Sequence, residues 1–336
     1  MRQTAFIFLM ASCLAVSLPA ADQQLVNMVM PNAKIIGGIN VDSARNSPFG
    51  AFLLSHIATS DPAFQKFIET SGFNPTTDLR EILAASTAPP AAPAGGPPGV
   101  LEGVIQPYHS GLVLARGTFK VDKISALAQA EGKQQVETYK GATLISDPKD
   151  AKGSAMAFVG SDIAVAGDVA SVKAALDRRS QNNPLDPQLA TKVNALSESQ
   201  DAWGVSLAPL SSVGGAGAGD PSLQGALNGD LFKKIIETSG GVKLGSTIQI
   251  SSEMVATDEK NATALGDVVK FLAGMVAMNA GSPQGMPPVL VSLLQSLNVQ
   301  TQGNIVNVSL SAPEDQLESL INSMQQSSKK TSGAKI

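Results

Sequence analysis

The chain has 336 residues, of which 43% are hydrophobic and only 15% are charged, and it contains 31 glycines and 20 prolines. This composition is typical of an exported protein with long polar loops, and the apolar content is enough for a sizeable core. The formal net charge of −4 provides no general attraction to nucleic acid, so we exclude nucleic acid as a partner.

Residues 1–20 have a basic start followed by an apolar stretch, which is the pattern of a signal peptide. We predict cleavage by signal peptidase after Ala20, because small or tolerated residues lead up to it. The stretch is shorter than the about 20 residues that a membrane span needs. Lipidation at Cys13 is an alternative, but the apolar run continues beyond this cysteine, where a lipoprotein signal would end. We therefore expect a periplasmic or extracellular protein with no membrane span in the mature chain.

Residues 21–86 are predicted to form an N-terminal unit of one strand and two helices. The strand covers residues 34–41. Ser47 and Pro48 have the pattern of an N-cap followed by proline at the first helical position. A second, shorter helix follows, and it ends at a glycine.

Residues 87–100 are nearly all proline, alanine and glycine, which predicts a linker or a surface loop. Residues 101–198 then form a first α+β half. Its predicted elements are a strand at 111–119, a helix ending at Gly132, a strand or hairpin at 134–146, a hairpin of 155–159 with 163–166, and a helix capped by Asp168.

A second α+β half is predicted for residues 199–326, followed by a disordered tail at 327–336. Its predicted elements are a strand at 203–207, a helix at 231–236, a strand at 242–255, helices at 259–278 and 288–297, and a strand or hairpin at 299–310. The last helix is predicted to start with a capping box from Ser311 to Glu314.

The two halves share a spacing of elements. Predicted junctions between a strand and a helix near residues 122 and 168 are repeated near residues 259 and 313, which suggests two duplicated halves. Hairpins outnumber crossover connections in this pattern. We therefore predict an α+β fold with mainly antiparallel sheets and amphipathic helices packed on one face.

Residues capable of catalysis are scarce. His56 lies on the apolar face of a predicted helix, where a structural role is expected. His109 follows Tyr108 in a loop, and these two residues form the one weak candidate for a polar site. Two histidines so far apart, without a ligand motif, do not predict a metal site, and no cofactor motif is present. We therefore assign no catalytic, metal-binding or cofactor-binding residue.

Residues 31–86 combine Pro31-Asn32-Ala33, Ser47-Pro48-Phe49-Gly50 and Gly72-Phe73-Asn74-Pro75. This segment is similar to the N-terminal part of exported bacterial proteins of uncharacterised function. The resemblance covers about 55 residues and implies a location in the bacterial envelope. It implies no activity and no site residue.

We therefore expect a non-catalytic binding or structural protein of the bacterial envelope, whose partner is a protein or an apolar ligand. One alternative is a hydrolase that uses carboxylates or His109. In that case His109 and two carboxylates should converge in one concave pocket. A second alternative is a carrier of a lipid or an apolar peptide. A carrier should contain an apolar cavity of roughly 300 Å³ or more between sheet and helices.

Overall fold

The computed structural model contains a single large antiparallel sheet with helices packed against it, which confirms the α+β fold class. It describes residues 21–60, 62–87, 111–130, 132, 134–150, 153–181, 185–209, 231, 233–278 and 288–322. The predicted linker at 87–100, except for its first residue, and the predicted tail at 327–336 lie outside these residues.

Twelve strands form the sheet, and every neighbouring pair of strands is antiparallel. In chain order they are β1 (Ile35–Asn40), β2 (Leu79–Ser86), β3 (Gly111–Gly117), β4 (Gln135–Tyr139), β5 (Ala142–Ser146), β6 (Ser154–Val159), β7 (Ile163–Asp168), β8 (Ala202–Ser206), β9 (Ile235–Lys243), β10 (Thr247–Ala256), β11 (Asn298–Gln302) and β12 (Ile305–Pro313). Across the sheet they follow the order β11-β12-β10-β9-β8-β1-β2-β3-β7-β6-β5-β4.

Eleven helices accompany these strands in the described part of the chain. They are α1 (Gln23–Val26), α2 (Val41–Asn46), α3 (Pro48–Ser60), α4 (Pro62–Ser71), α5 (Pro75–Asp78), α6 (Val121–Ala130), α7 (Val169–Arg178), α8 (Pro187–Ser199), α9 (Glu259–Met278), α10 (Pro288–Gln295) and α11 (314–322). The predicted hairpins at 134–146 and 155–166 and the predicted cap at Asp168 are confirmed.

One face of the sheet, which we call the front face, carries Leu83, Leu114 and Val165, all with no exposed surface. These side chains form the main core together with α1, α7 and α8. Alternate residues of a strand point to opposite faces, so Ile145, Phe158 and Ala164 lie on the other, back face. The core is therefore built on both sides of one sheet.

The prediction that the helices pack on one face is wrong. Helix α6 packs through Ile124 and Ala128 against Ile145 and Phe158 on the back face. Helix α9 packs against β11 and β12 on the same back face, as the pairing register places them. The physical reason is that these strands carry apolar side chains on both sides, so helices must cover both faces.

Two predicted element boundaries are also wrong. Residues 231–236 were expected to be helical, but Ile235 begins β9, which pairs with β8 and β10 and so completes two ladders of hydrogen bonds. Ser311 was expected to cap the last helix, but it pairs with Gln249 inside β12, and the helix begins at Glu314. Pairing with neighbouring strands overrides the local helical signal in both places.

The order of elements repeats around the central pair β1 and β8. In each half three adjacent strands lead to a helix on the back face, α6 or α9, and the chain then starts again at the outer edge of the sheet. Later strands return inward until β7 pairs with β3 and β12 pairs with β10. A helix follows each returning strand. The two halves therefore have related topology, with Gly37 opposite Gly204 at their junction.

Candidate functional site: an apolar groove on the back face

An apolar groove of about 540 Å³ lies between α6 and the back face of strands β5 to β7. Its walls include Ile124, Leu127, Ile145, Phe158, Ala164 and Ala166. Polar side chains such as Gln134 and Ser154 are a minority of the lining. A concave, mainly apolar surface with a few polar groups is the usual form of a site for a small apolar ligand.

The floor of the groove exists because β7 alternates in side-chain size. Ile163 and Val165 point to the front face and are buried in the core. Ala164 and Ala166, which point to the back face, are too small to fill the space below α6. These small side chains therefore leave a gap between β7 and α6.

One wall of the groove is aromatic. The ring centroid of Phe119 lies 5.2 Å from that of Phe73 and 5.5 Å from that of Phe158. Phe119 and Phe158 are buried, and all three residues line the groove. Met156 lines it too, although 40% of its surface is exposed. Rigid rings combined with a flexible thioether suit an apolar ligand of variable shape.

A second depression, which we call the lysine cleft, lies beside the groove and has a volume of about 530 Å³. Its lining comprises Phe119, Lys120, Val121, Asp122, Lys123, Thr143, Gly160 and Ser161. Phe119 lines both the groove and the cleft. An apolar site and a polar, charged site therefore share a wall.

A buried ionic cluster lies on the front face between α8 and the sheet. The ammonium group of Lys192 is 2.5 Å from a carboxylate oxygen of Glu237 and 2.5 Å from one of Glu253. Burial lowers the pKa of Lys192, but its hydrogen bonds to these two carboxylates outweigh burial and raise the pKa above its usual value. The lysine is thus held charged by two partners, which is a structural arrangement that holds α8 to β9 and β10.

A second buried acid, Asp201, is satisfied by its neighbours. Its carboxylate accepts hydrogen bonds from the hydroxyl of Ser43, from Lys243 at 3.0 Å and from the backbone N–H of Leu244 at 2.6 Å. Only 1% of Asp201 is exposed. With its acceptor positions occupied in this way, Asp201 ties α2 to the ends of β8 and β9 and presents no reactive group to solvent.

The side chains selected from sequence are not among those that the structure describes. Tyr108, His109, Cys13 and Ala20 lie outside the described residues. His56 lies in α3, and its side chain is outside them too. Sequence reasoning missed the groove residues, although the alternation of large and small side chains in Ile163-Ala164-Val165-Ala166 is a signal that could have found them.

The described residues contain neither a cluster of metal ligands nor a helix that could span a membrane. No group of three or more histidine, cysteine, aspartate or glutamate side chains in that part of the chain is placed to hold a metal ion. None of the helices described there combines the length and the apolar character needed to cross a bilayer. In α9, the longest of them, charged residues interrupt the apolar sequence.

Comparison with known proteins gives only distant similarity. No family model and no curated protein matches the chain. Three solved structures, crystal forms III, IV and I of TP0453, cover 88% of this chain and 97%, 95% and 96% of their own chains, respectively. Their sequence identities are 9%, 8% and 8%, and their TM-scores are 0.45, 0.47 and 0.43.

Proposed function

We propose that the protein is an exported, non-catalytic binding protein of the bacterial envelope that carries a lipid or another ligand with an apolar chain. The groove between α6 and the sheet is the observation that supports this function. Its volume of about 540 Å³ exceeds the roughly 300 Å³ expected of a carrier, and its lining is mainly apolar. The signal peptide predicted at residues 1–20 supports export.

The energetics favour a ligand with a single long chain. Each methylene that leaves water contributes about 0.8 kcal/mol, so about ten of them contribute about 8 kcal/mol. Before the cost of association is subtracted, this corresponds to a dissociation constant of about 1 µM. The cost of association makes the affinity of an alkyl chain alone weaker than this, so polar contacts to a head group would strengthen binding.

Filling the groove should abolish binding. Ala164 lies on the groove floor, so Ala164→Phe places a ring where the ligand chain would lie. We expect dodecanol to bind the wild-type protein in calorimetric titration and to bind Ala164→Phe at least about tenfold more weakly, since most of the apolar contact is lost. Ala126 is exposed on α6 and does not line the groove, so Ala126→Phe is the matched control and should bind as the wild type does.

Circular dichroism establishes that each variant is folded. If Ala164→Phe is unfolded, Leu127→Lys serves instead, because Leu127 is half-exposed and its substitution places a charge at the groove. Equal affinity of the wild type and a folded groove variant for dodecanol would contradict the proposed function. The same conclusion would follow if dodecanol did not bind the wild type at all.

A further inference from the structure

The lysine cleft carries two lysines, Lys120 and Lys123, that form no ion pair among the described residues. Lys120 donates a hydrogen bond to the carbonyl oxygen of Gly72. Asp122 also lines the cleft, but it is the immediate neighbour of Lys123 in α6, and adjacent residues of a helix do not face each other.

The two ammonium groups converge on one point. A methyl group built on Gly72 would lie 3.3 Å from Nζ of Lys120 and 3.5 Å from Nζ of Lys123. Gly72 itself has a φ of +63°, a conformation that glycine adopts without strain and that ends α4 here. The turn after α4 thus brings the backbone within reach of both lysines, and like charges held this close favour a shared anion.

We infer that the ligand of the groove is an anionic amphiphile with one apolar chain, whose head group binds Lys120 and Lys123 in the cleft while the chain lies in the groove. This inference rests on the proposed function. Phe119 supplies the spatial link, because its buried ring lines both depressions. An acyl chain that lies against Phe119 in the groove can therefore extend its head group toward the cleft.

The other charged clusters do not offer such a site. On the front face, Lys192 already lies between Glu237 and Glu253, and Lys243 pairs with Asp201. Arg116 is likewise paired with Asp22 and Asp162. The groove and the lysine cleft together therefore meet two requirements of an anionic amphiphile. The groove gives an apolar surface for the chain, and the cleft gives the head group two lysines without an ion pair among the described residues.

Ligands that share a chain but differ in the head group test this inference. Dodecanoate, dodecyl phosphate, dodecanol and dodecyltrimethylammonium, each below its micellar concentration and at a pH where the acids are ionised, are titrated into the full chain. We expect both anions to bind about fivefold or more tightly than dodecanol, and the cation to bind more weakly. The ratio of dodecanoate to dodecyl phosphate affinity distinguishes a carboxylate head group from a phosphate one.

Substitution of the lysines should remove the preference and leave chain binding intact. For Lys120→Gln combined with Lys123→Gln, we expect the ratio of anion to alcohol affinity to fall to about one, with dodecanol affinity unchanged. Lys260 lies in the first turn of α9, the equivalent helix of the other half, so Lys260→Gln is the matched control and should keep the ratio. High salt should reduce the ratio in the wild type, which tests the charge even if a variant fails to fold.

The outcomes separate the inference from the proposed function. Equal binding of anions and dodecanol by the wild type, or preference for the cation, overturns the anionic ligand and leaves a neutral carrier. If the variant with both lysines substituted still prefers anions to dodecanol, the inference is also overturned. Failure of every ligand to bind overturns the proposed function itself.

Discussion

Glu81 is a carboxyl group held in an unfavourable environment. It lies in β2, where the backbone N–H of Asp22 donates to both of its carboxylate oxygens at 3.2 Å. Burial raises the pKa of Glu81 to about 7, although this hydrogen bond and the charge of Arg116 act in the opposite direction. The side chain of Asp22 adds a repulsive negative charge. The folded chain therefore holds a proton on Glu81 more tightly than an unfolded chain does.

Ionisation of Glu81 makes the folded state less stable as pH rises. Because its pKa is raised from 4.5 to about 7, its contribution to stability is complete below pH 4.5 and is lost as pH rises to about 7. We expect Glu81→Gln to unfold with about the same free energy as the wild type near pH 4.5. Near pH 8 the variant should be more stable by up to about 3 kcal/mol.

Urea unfolding across this pH range measures the effect. Glu198 is exposed on α8, so Glu198→Gln is the matched control and should follow the wild type at every pH. A difference between Glu81→Gln and the wild type that does not change with pH would show that Glu81 is not the group that titrates.

Helix capping shows how elements begin in this fold. Asp168 accepts a hydrogen bond from the backbone N–H of Ser171 at 2.9 Å and one from its hydroxyl at 2.6 Å. Burial raises the pKa of Asp168, but these hydrogen bonds outweigh burial and keep the pKa below its usual range. The carboxylate is thus charged at neutral pH and satisfies the free N–H groups at the start of α7.

Loss of this cap should be measurable. We expect Asp168→Ala to lower the free energy of unfolding by about 1 kcal/mol at neutral pH, and by less at low pH, where the carboxylate is protonated in the wild type. Ser311→Ala is the informative comparison. If Ser311 capped a helix, its loss would lower the free energy of unfolding by about as much as the loss of Asp168. The side chain of Ser311 is exposed in β12, so we expect a change within about 0.5 kcal/mol. Equal losses in the two variants would contradict the strand assignment.

Sequence predicts the elements whose signals are local. The hairpin of β6 and β7 has alternating apolar residues around a tight turn, and the cap at Asp168 is a local contact, so both were found. Helix α8 was missed, although Asp186 caps it and Pro187 occupies its first turn. The start of β9 was mistaken for helix because its pairing is not local: Ile235 pairs with Ala256 at the far end of β10, and the other partner strand, β8, ends at Ser206.

The position of the groove is hard to predict for a related reason, although the alternation of side-chain size in β7 is a local signal for it. Its residues come from α4, α6, several strands and the segments between them, and the pairing register of β5, β6 and β7 brings Ile145, Phe158 and Ala164 onto one face. From the sequence we stated the criterion for a carrier, which is an apolar cavity between sheet and helices. The location of the cavity did not follow from the sequence, because the face on which a helix packs depends on the side chains on both sides of each strand.

At the scale of the molecule, the pair of β1 and β8 joins two halves of related topology. The ring of Trp203 in β8 packs over Gly38 in β1, where an added methyl group would lie 2.6 Å from a ring atom. Trp203 is 8% exposed and belongs to the main core together with Leu83 and Val165. One continuous core thus crosses the junction, which favours unfolding of both halves as one unit.

Trp203 makes this cooperativity measurable, because the chain contains one tryptophan and it lies at the junction. We expect urea unfolding followed by tryptophan fluorescence to coincide with unfolding followed by circular dichroism. Val165→Ala, in β7, and Leu265→Ala, in α9, each remove buried apolar contacts and should lower the stability by about 2–4 kcal/mol. In each variant, the midpoints measured by fluorescence and by circular dichroism should shift by the same urea concentration. This holds for Leu265→Ala too, although Leu265 packs in a separate cluster on the back face. If the halves unfolded separately, circular dichroism would show two unfolding steps. Val165→Ala would then shift only the step of the first half, and Leu265→Ala would shift only the step of the second half. That result would show that the sheet is continuous in structure but divided in stability.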